Sequence, residues 1–248
     1  MTDLAGLSFA AWLALVVGAL IVGLSKTTVG GLVMVASALF AAVLPARAST
    51  GVVLLLLLVG DAFAIRSYAR HADWKVLRPA APWVLAGLVA GAWFLWIAGD
   101  AQVKRTIGVI LLVLSVISIG RKVWSRGADI STPSAAFAAT AGTLSGFMTM
   151  VANAGAIFML YLLRLRLPVL VFLGTSAWFF LAVNVVKVPF SFALGLLTWN
   201  SFLLAVVLIP AVALGAVIGR TVIRYISLNT FEWLVLIATL GAACNLLR

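Results

Sequence analysis

Apolar runs of membrane-crossing length recur along this chain; in its first half they extend from about Thr50 to Ala69, Pro79 to Ala98 and Val103 to Gly120. About 20 helical residues cover a hydrocarbon core of about 30 Å, and a chain in lipid must satisfy its own backbone polar groups. No strand-like alternation with a polar lumen face is present, which argues against a barrel. With 65% hydrophobic residues, 9% charged residues and a mean hydropathy of +1.25, the chain reads as an all-α integral membrane protein, a polytopic helical bundle in a lipid bilayer.

The net charge of +11 does not signal nucleic acid, because the basic residues sit in short loops between apolar segments and form no stripe. They are topology signals. One cysteine and one histidine leave no disulfide, metal or haem signature, so no cofactor is expected and Cys244 is expected to be a packed small residue. The N-terminal segment has no basic n-region and no cleavage site, so it is expected to be a retained first helix.

Segment a, about Leu7 to Leu24, stops at a polar break, Leu24-Ser-Lys-Thr-Thr-Val-Gly-Gly31. Segment b, about Val29 to Leu44, is short for a full span, so a and b form a helical hairpin, fully spanning or re-entrant. Pro45 to Ser49 is a turn, and segment c, about Thr50 to Ala69, contains Asp61 and ends in the most basic loop, with Arg66, Arg70, His71, Lys75 and Arg78. Segment d carries Gly87 and Gly91 at a spacing that lets helix backbones approach closely. Segment e follows, and a loop from Arg121 to Ser134 has linker composition.

Beyond that loop the pattern repeats. Leu144-Ser145-Gly146 falls where Leu24-Ser25-Lys26 fell, Pro168 where Pro45 fell, Asn184 where Asp61 fell and Trp199 where Trp74 fell, at offsets drifting from 120 to 125; Gly215 and Gly219 echo Gly87 and Gly91. The expected organisation is a first membrane repeat over 1–120, a basic interhalf loop over 121–134 and a second repeat over 135–248. Each repeat is an interrupted or re-entrant hairpin followed by three spans. That odd number of net crossings inverts the second half relative to the first. Ten segments place the c–d loop, the interhalf loop, Arg164, Arg166, Arg220 and Arg224 on one side and leave Arg47, Lys104, Arg105 and Arg248 on the other. An eight-span arrangement scatters them evenly. The positive-inside rule therefore favours inverted repeats with both termini outside the cytoplasm.

Broken helices leave backbone groups available to a substrate near the midplane. Lys26, Thr27 and Thr28, beside Gly30 and Gly31, suit an anion: the lysine supplies charge, and the hydroxyls and free N–H groups at the start of segment b supply donors. The competing interpretation is a lysine snorkelling to the headgroups. In the second half Ser145, Gly146, Thr149, Asn153 and Gly155 interrupt the pattern without a charge, and Asn153 is the member that can donate to an oxyanion; small-residue packing is the alternative.

Lys187, one turn after Asn184 and just before Pro189, is an intramembrane ionisable residue and so a functional candidate; its structural alternative is an ion pair with Asp61. Asp61 is open to coupling a proton or sodium ion, or to pairing with Lys26, Lys187 or Arg66, and pairing is preferred. His71 is expected to be solvated, Glu232 to be an interfacial helix-start charge, and Trp74, Trp83, Trp124, Trp199 and Trp233 to be interfacial anchors.

The duplicated apolar halves, the Gly23-to-Gly31 break, the segment Asn184-Val-Val-Lys187-Val-Pro189 leading to Gly195, and the Gly-x-x-x-Gly penultimate helices resemble the TauE/SafE family of sulfite exporters and sulfonate permeases. The resemblance covers essentially the whole chain. It implies a bacterial inner-membrane transporter for small sulfur-containing anions such as sulfite, sulfoacetate or isethionate. The expected function is therefore a secondary transporter with a central anion site lined by Lys26, Thr27, Thr28, Asn153, Asn184 and Lys187, opened alternately by the two halves. Export is preferred, because a negative-inside potential favours anion exit by about 2.3 kcal/mol per charge per 100 mV. The alternatives are a proton-coupled uptake permease, with Asp61 carrying the proton, and a non-transporting scaffold or sensor subunit. A membrane enzyme is disfavoured by the lack of a nucleophile, base or metal cluster, and self-association is left open.

Overall fold

The computed structural model describes residues 7–27, 32–124 and 135–222, together with residues 237, 240–241, 243–244 and 246–247. Among these the chain is helical throughout, in the order α1 (Phe9–Thr27), α2 (Val33–Val43), α3 (Ala46–Tyr68), a 3-10 turn (Ala69–His71), α4 (Trp74–Ile97), α5 (Asp100–Trp124), α6 (Ala135–Ala152), α7 (Ala156–Arg164), α8 (Val169–Ala193) and α9 (Trp199–Val222). Six of these helical stretches are long and apolar enough to cross a membrane. The molecule is a polytopic helical bundle.

Helices α2 and α7 are different. Their 11 and 9 residues rise about 1.5 Å each, roughly half of a hydrocarbon core or less. Each returns along its predecessor: Phe40 of α2 fills the space beside Gly18 of α1, and Arg164 at the end of α7 lies 4.7 Å over the ring of Phe137 near the start of α6. Each pair is a hairpin with one short arm.

Several expected boundaries move. Segment a continues as helix through Lys26 to Thr27, and α3 begins at Ala46, so the expected turn from Pro45 to Ser49 is helical from its second residue. Pro45 takes the N-cap position, where its missing N–H costs nothing. Helix α5 runs on through Arg121 and Lys122 to Trp124, which shortens the interhalf loop. Cys244 is exposed and not packed: Ala243 and Leu246 turn inward and leave it on the outer face. His71 is exposed, as are Trp74, Trp83 and Trp199; Glu232, Trp233 and the Trp124 side chain lie outside the described residues.

Packing is organised by glycine contacts between distant helices. A Cβ at Gly87 of α4 would strike the Thr143 carbonyl of α6, and one at Gly146 would strike the Val84 carbonyl. The same reciprocity joins α1 to α9, where Gly23 faces the Val212 carbonyl and Gly215 faces that of Leu20. With no hydrophobic force between helices in lipid, close backbone approach and van der Waals contact hold such pairs together. The apolar contacts follow suit: α1, α2, α3 and α9 share one cluster, around Val22, Phe40, Leu56 and Leu208, while α4 to α8 share the other with Met34, Ala38 and Ala41 of α2 and Ala46 of α3.

Helices α3 and α8 cross antiparallel at the centre, with Gly51 against Leu196 at one end and Gly174 against Tyr68 and the backbone at His71 and Ala72 at the other. The Arg47 guanidinium ties one end of the bundle, donating to the carbonyls of Leu95, Ala98 and Leu194, and the Asp100 carboxylate accepts from the N–H groups of Ala46 and Arg47. Cation and anion thus meet helix ends of matching polarity.

Gly87→Val and Gly215→Val are each expected to destabilise the bundle by at least about 1–3 kcal/mol, because a backbone carbonyl cannot yield to the new side chain as a flexible group would. Gly99→Val, where nothing lies within 4 Å of the added Cβ, serves as control. Melting of the detergent-solubilised variants measures both, and an unchanged midpoint for Gly87→Val would contradict the packing described.

Candidate functional site

The tip of the first hairpin is built around Lys26. It sits on the last turn of α1, not at the start of α2, so the cation lies near helix C-terminal carbonyls, where positive charge is favoured. Its Nζ donates to Asp61 Oδ1 of α3 at 2.5 Å and lies 4.8 Å from the centroid of the Phe180 ring of α8. Gly60 makes room for the alkyl chain: a Cβ there would come within 2.8 Å of Lys26 Cγ. The second Asp61 oxygen accepts from Asn184 Nδ2 at 2.7 Å. Asp61 is 0% exposed and Lys26 7%, so this is a buried ion pair whose removal from water is balanced only because each carboxylate oxygen meets a donor. Asn184 Oδ1 is buried without a hydrogen-bond partner.

The tip of the second hairpin falls at the C-terminal end of the stretch singled out in the sequence, at Asn153 and Gly155. Ser145, Gly146 and Thr149 are inside the unbroken helix α6, because serine, glycine and threonine are tolerated where backbones pack closely. The break comes at Asn153–Gly155, where Asn153 adopts a left-handed φ of 54°, a conformation in which asparagine commonly ends helices. Lys187 of α8, 0% exposed, donates from Nζ to the Thr149 carbonyl at 2.7 Å and to Asn153 Oδ1 at 2.5 Å. Asn153 Nδ2 donates to the Thr50 carbonyl at 3.2 Å, and Thr50 Oγ1 shares its one proton between the Ala46 carbonyl at 3.1 Å and the Val151 carbonyl at 3.2 Å. The last turn of α6 is thereby tied to both neighbours: the Thr149 carbonyl, which also accepts from the Asn153 N–H, meets α8, and the Val151 carbonyl meets α3.

A cavity lies between the two tips, walled by α3 and α8, with an empty volume of about 700 Å³ that includes space open to the outside. Lys26, Asp61, Asn184, Thr149 and Asn153 line its polar part, and residues such as Met34, Met159 and Phe180 its apolar part. Gly155 belongs to the lining because the Phe180 ring occupies the space a Cβ would need.

Of the residues singled out in the sequence, Lys26, Asp61 and Asn184 form one network, and Asn153 and Lys187 form a second. The Lys187–Asp61 pair is not formed, because Lys26 and Asn184 take both carboxylate oxygens. Arg66 is exposed and does not pair with Asp61 either. Lys187 is absent from the cavity wall, its ammonium group being held by Thr149 and Asn153. Ser145 is buried within α6 and its hydroxyl has no partner. Thr28, Gly30 and Gly31 lie outside the described residues, as does the Thr27 side chain. Phe180, Tyr68 and Ser176 line the cavity without having been foreseen; an aromatic or hydroxyl residue in an apolar run carries no signal, and only the adjacency of Phe180 to Lys26 marks it. Among the described residues no group of His, Cys, Asp and Glu could hold a metal ion.

Asp61→Ala strands the Lys26 ammonium and should cost about 3–5 kcal/mol of stability, whereas the double variant Lys26→Met, Asp61→Leu should recover most of it. A double-mutant cycle on thermal unfolding measures the coupling; additive losses would mean that the pair is not intact.

The family model for "Sulfite exporter TauE/SafE" matches residues 15–246. No curated protein and no solved structure matches the chain significantly. The matched span includes both hairpins, the central antiparallel helices and both glycine-packed helix pairs. This multi-pass membrane chain, with a buried lysine facing a cavity between two hairpin tips, belongs to the sulfite exporter TauE/SafE family, a family of membrane transporters for sulfur-containing anions.

Proposed function

We propose that the protein is a secondary transporter that moves small sulfur-containing anions, sulfite or organosulfonates such as sulfoacetate and isethionate, out of the cell across a bacterial inner membrane. The single observation that carries this reading is the Lys26 ammonium at the wall of a cavity reached between two helix tips. A sulfonate or sulfite group accepts several charge-assisted hydrogen bonds, and Lys26 supplies the charge; the apolar wall at Met34, Met159 and Phe180 suits a short organic tail.

Alternating access in this proposal is motion of two inverted halves, 1–120 and 135–248, joined by the basic 121–134 segment. Three observations support it. The matched helices α3 and α8 run antiparallel, and the matched residues Asp61 and Asn184 hydrogen-bond to one another at their crossing. Helix α4 packs on α6 of the other half as α9 packs on α1. Both hairpins end near one cavity. With the basic loops inside, both termini lie outside the cytoplasm.

In proteoliposomes preloaded with labelled isethionate or sulfite, the wild-type chain should release the anion chemically unchanged. Lys26→Gln should lower that flux by about 10- to 100-fold, the effect of losing one charge-assisted contact in a buried site. Flux of wild type indistinguishable from empty vesicles, or full flux in Lys26→Gln, would overturn the assignment.

A further inference from the structure

We propose that Asp61 is a proton-binding site that loads together with the transported anion. The proposal rests on the anion-carrier reading and concerns the same cavity. An anion that reaches Lys26 needs the ammonium that the Asp61 carboxylate already holds at 2.5 Å. Two anions sharing one cation in a dry site are mutually repulsive, so the arriving anion takes the place of the carboxylate.

What then faces Asp61 decides its state. From α1 it meets Lys26, now engaged by substrate. From α8 it meets Asn184 and, one turn further on, Lys187, whose ammonium is already bonded to Thr149 and Asn153. Helix α2 contributes Val33 and Met34 to the cavity, α9 contributes Leu204, Leu208 and Val212 to the apolar cluster it shares with α3, and Tyr68 lies on α3 itself. Among the described residues the nearest further cation is Lys187, which faces Asp61 across α8 but spends its hydrogen bonds on Thr149 and Asn153, so no second cation bonds to the carboxylate. A buried charge without a partner is too costly to persist, and a proton from solvent removes it.

The orphaned oxygen of Asn184 fits this exchange. With Asp61 ionised, the amide must turn its NH₂ towards the carboxylate, which leaves Oδ1 buried at the cavity wall without a donor. A protonated Asp61 is itself a donor. A half-turn of the Asn184 amide then lets Oδ1 accept from the Asp61 hydroxyl and turns Nδ2 into the cavity, where it donates to the anion. The empty state holds Lys26 neutralised by Asp61; the loaded state holds Lys26 neutralised by the substrate, with Asp61 neutral. Loaded and empty sites carry the same charge, so a monoanion crosses with one proton. The membrane potential then drops out, and the gradients of the anion and of protons set the direction; an anion accumulated in the cytoplasm leaves as its acid.

Calorimetry of isethionate binding to the purified full chain, in buffers of different ionisation enthalpy, tests this directly, because isethionate is the anion of a strong acid and takes up no proton itself. Wild type is expected to take up about one proton per anion, so its affinity rises as pH falls, by up to about tenfold per pH unit. Asp61→Asn is expected to bind with no proton uptake and with an affinity that no longer follows pH. A wild-type binding heat independent of buffer, or undiminished proton uptake in Asp61→Asn, overturns the proposal. If the variant does not fold, the wild-type measurement decides alone. Absence of isethionate binding in every buffer, with sulfite and sulfoacetate also failing to raise the melting temperature, removes the carrier reading itself and the proposal with it.

Discussion

The ion pair between Lys26 and Asp61, with Asn184 on the second carboxylate oxygen, joins three helices that no local sequence relation brings together. In a bundle facing lipid, van der Waals packing and interhelical polar contacts supply the association that water supplies elsewhere. Removing either charge leaves the other stranded. The first hairpin tip is therefore held to α3 by an interaction that fails abruptly, and the crossing of α3 and α8 is held at the same point. The same pair is at once a structural joint and part of the cavity wall.

The two lysines illustrate how burial separates similar residues. Lys26 faces the cavity, with a carboxylate and an aromatic ring as neighbours. Lys187 meets a helix-end carbonyl and an amide oxygen and stands behind the cavity wall. A carbonyl at the end of α6 carries part of that helix's negative pole, so Lys187 is stabilised by backbone polarity in place of a counter-ion. Its contacts join the second tip to α8. Lys26 is the one of the two that lines the cavity.

Glycine sets the scaffold for both tips. Gly87 and Gly146 let α4 and α6 touch backbone to backbone, and Gly23 and Gly215 do the same for α1 and α9. Each of these pairs links helices far apart in sequence, so each hairpin is packed backbone to backbone against a long helix outside it.

Much of this was legible in the chain itself. Apolar length dictates helices, since only helices or closed barrels satisfy the backbone in lipid, and Gly87, Gly91 and Gly215 announce close packing by spacing alone. Asp61, Asn184, Lys26 and Lys187 stand out because polar groups in hydrocarbon are costly and so mark contacts worth making. Partner choice was not legible: Asp61 had three cations within plausible reach, and only the fold of α1 onto α3 selects Lys26 and leaves Lys187 to Asn153. The second break is narrower than the sequence suggested, confined to Asn153 and Gly155, since Ser145, Gly146 and Thr149 weaken a helix in isolation but α6 keeps them helical through its contact with α4. Sequence determined which residues must be paired, because desolvation is a property of each group; tertiary structure decided with whom, because pairing depends on which helices cross and at what depth.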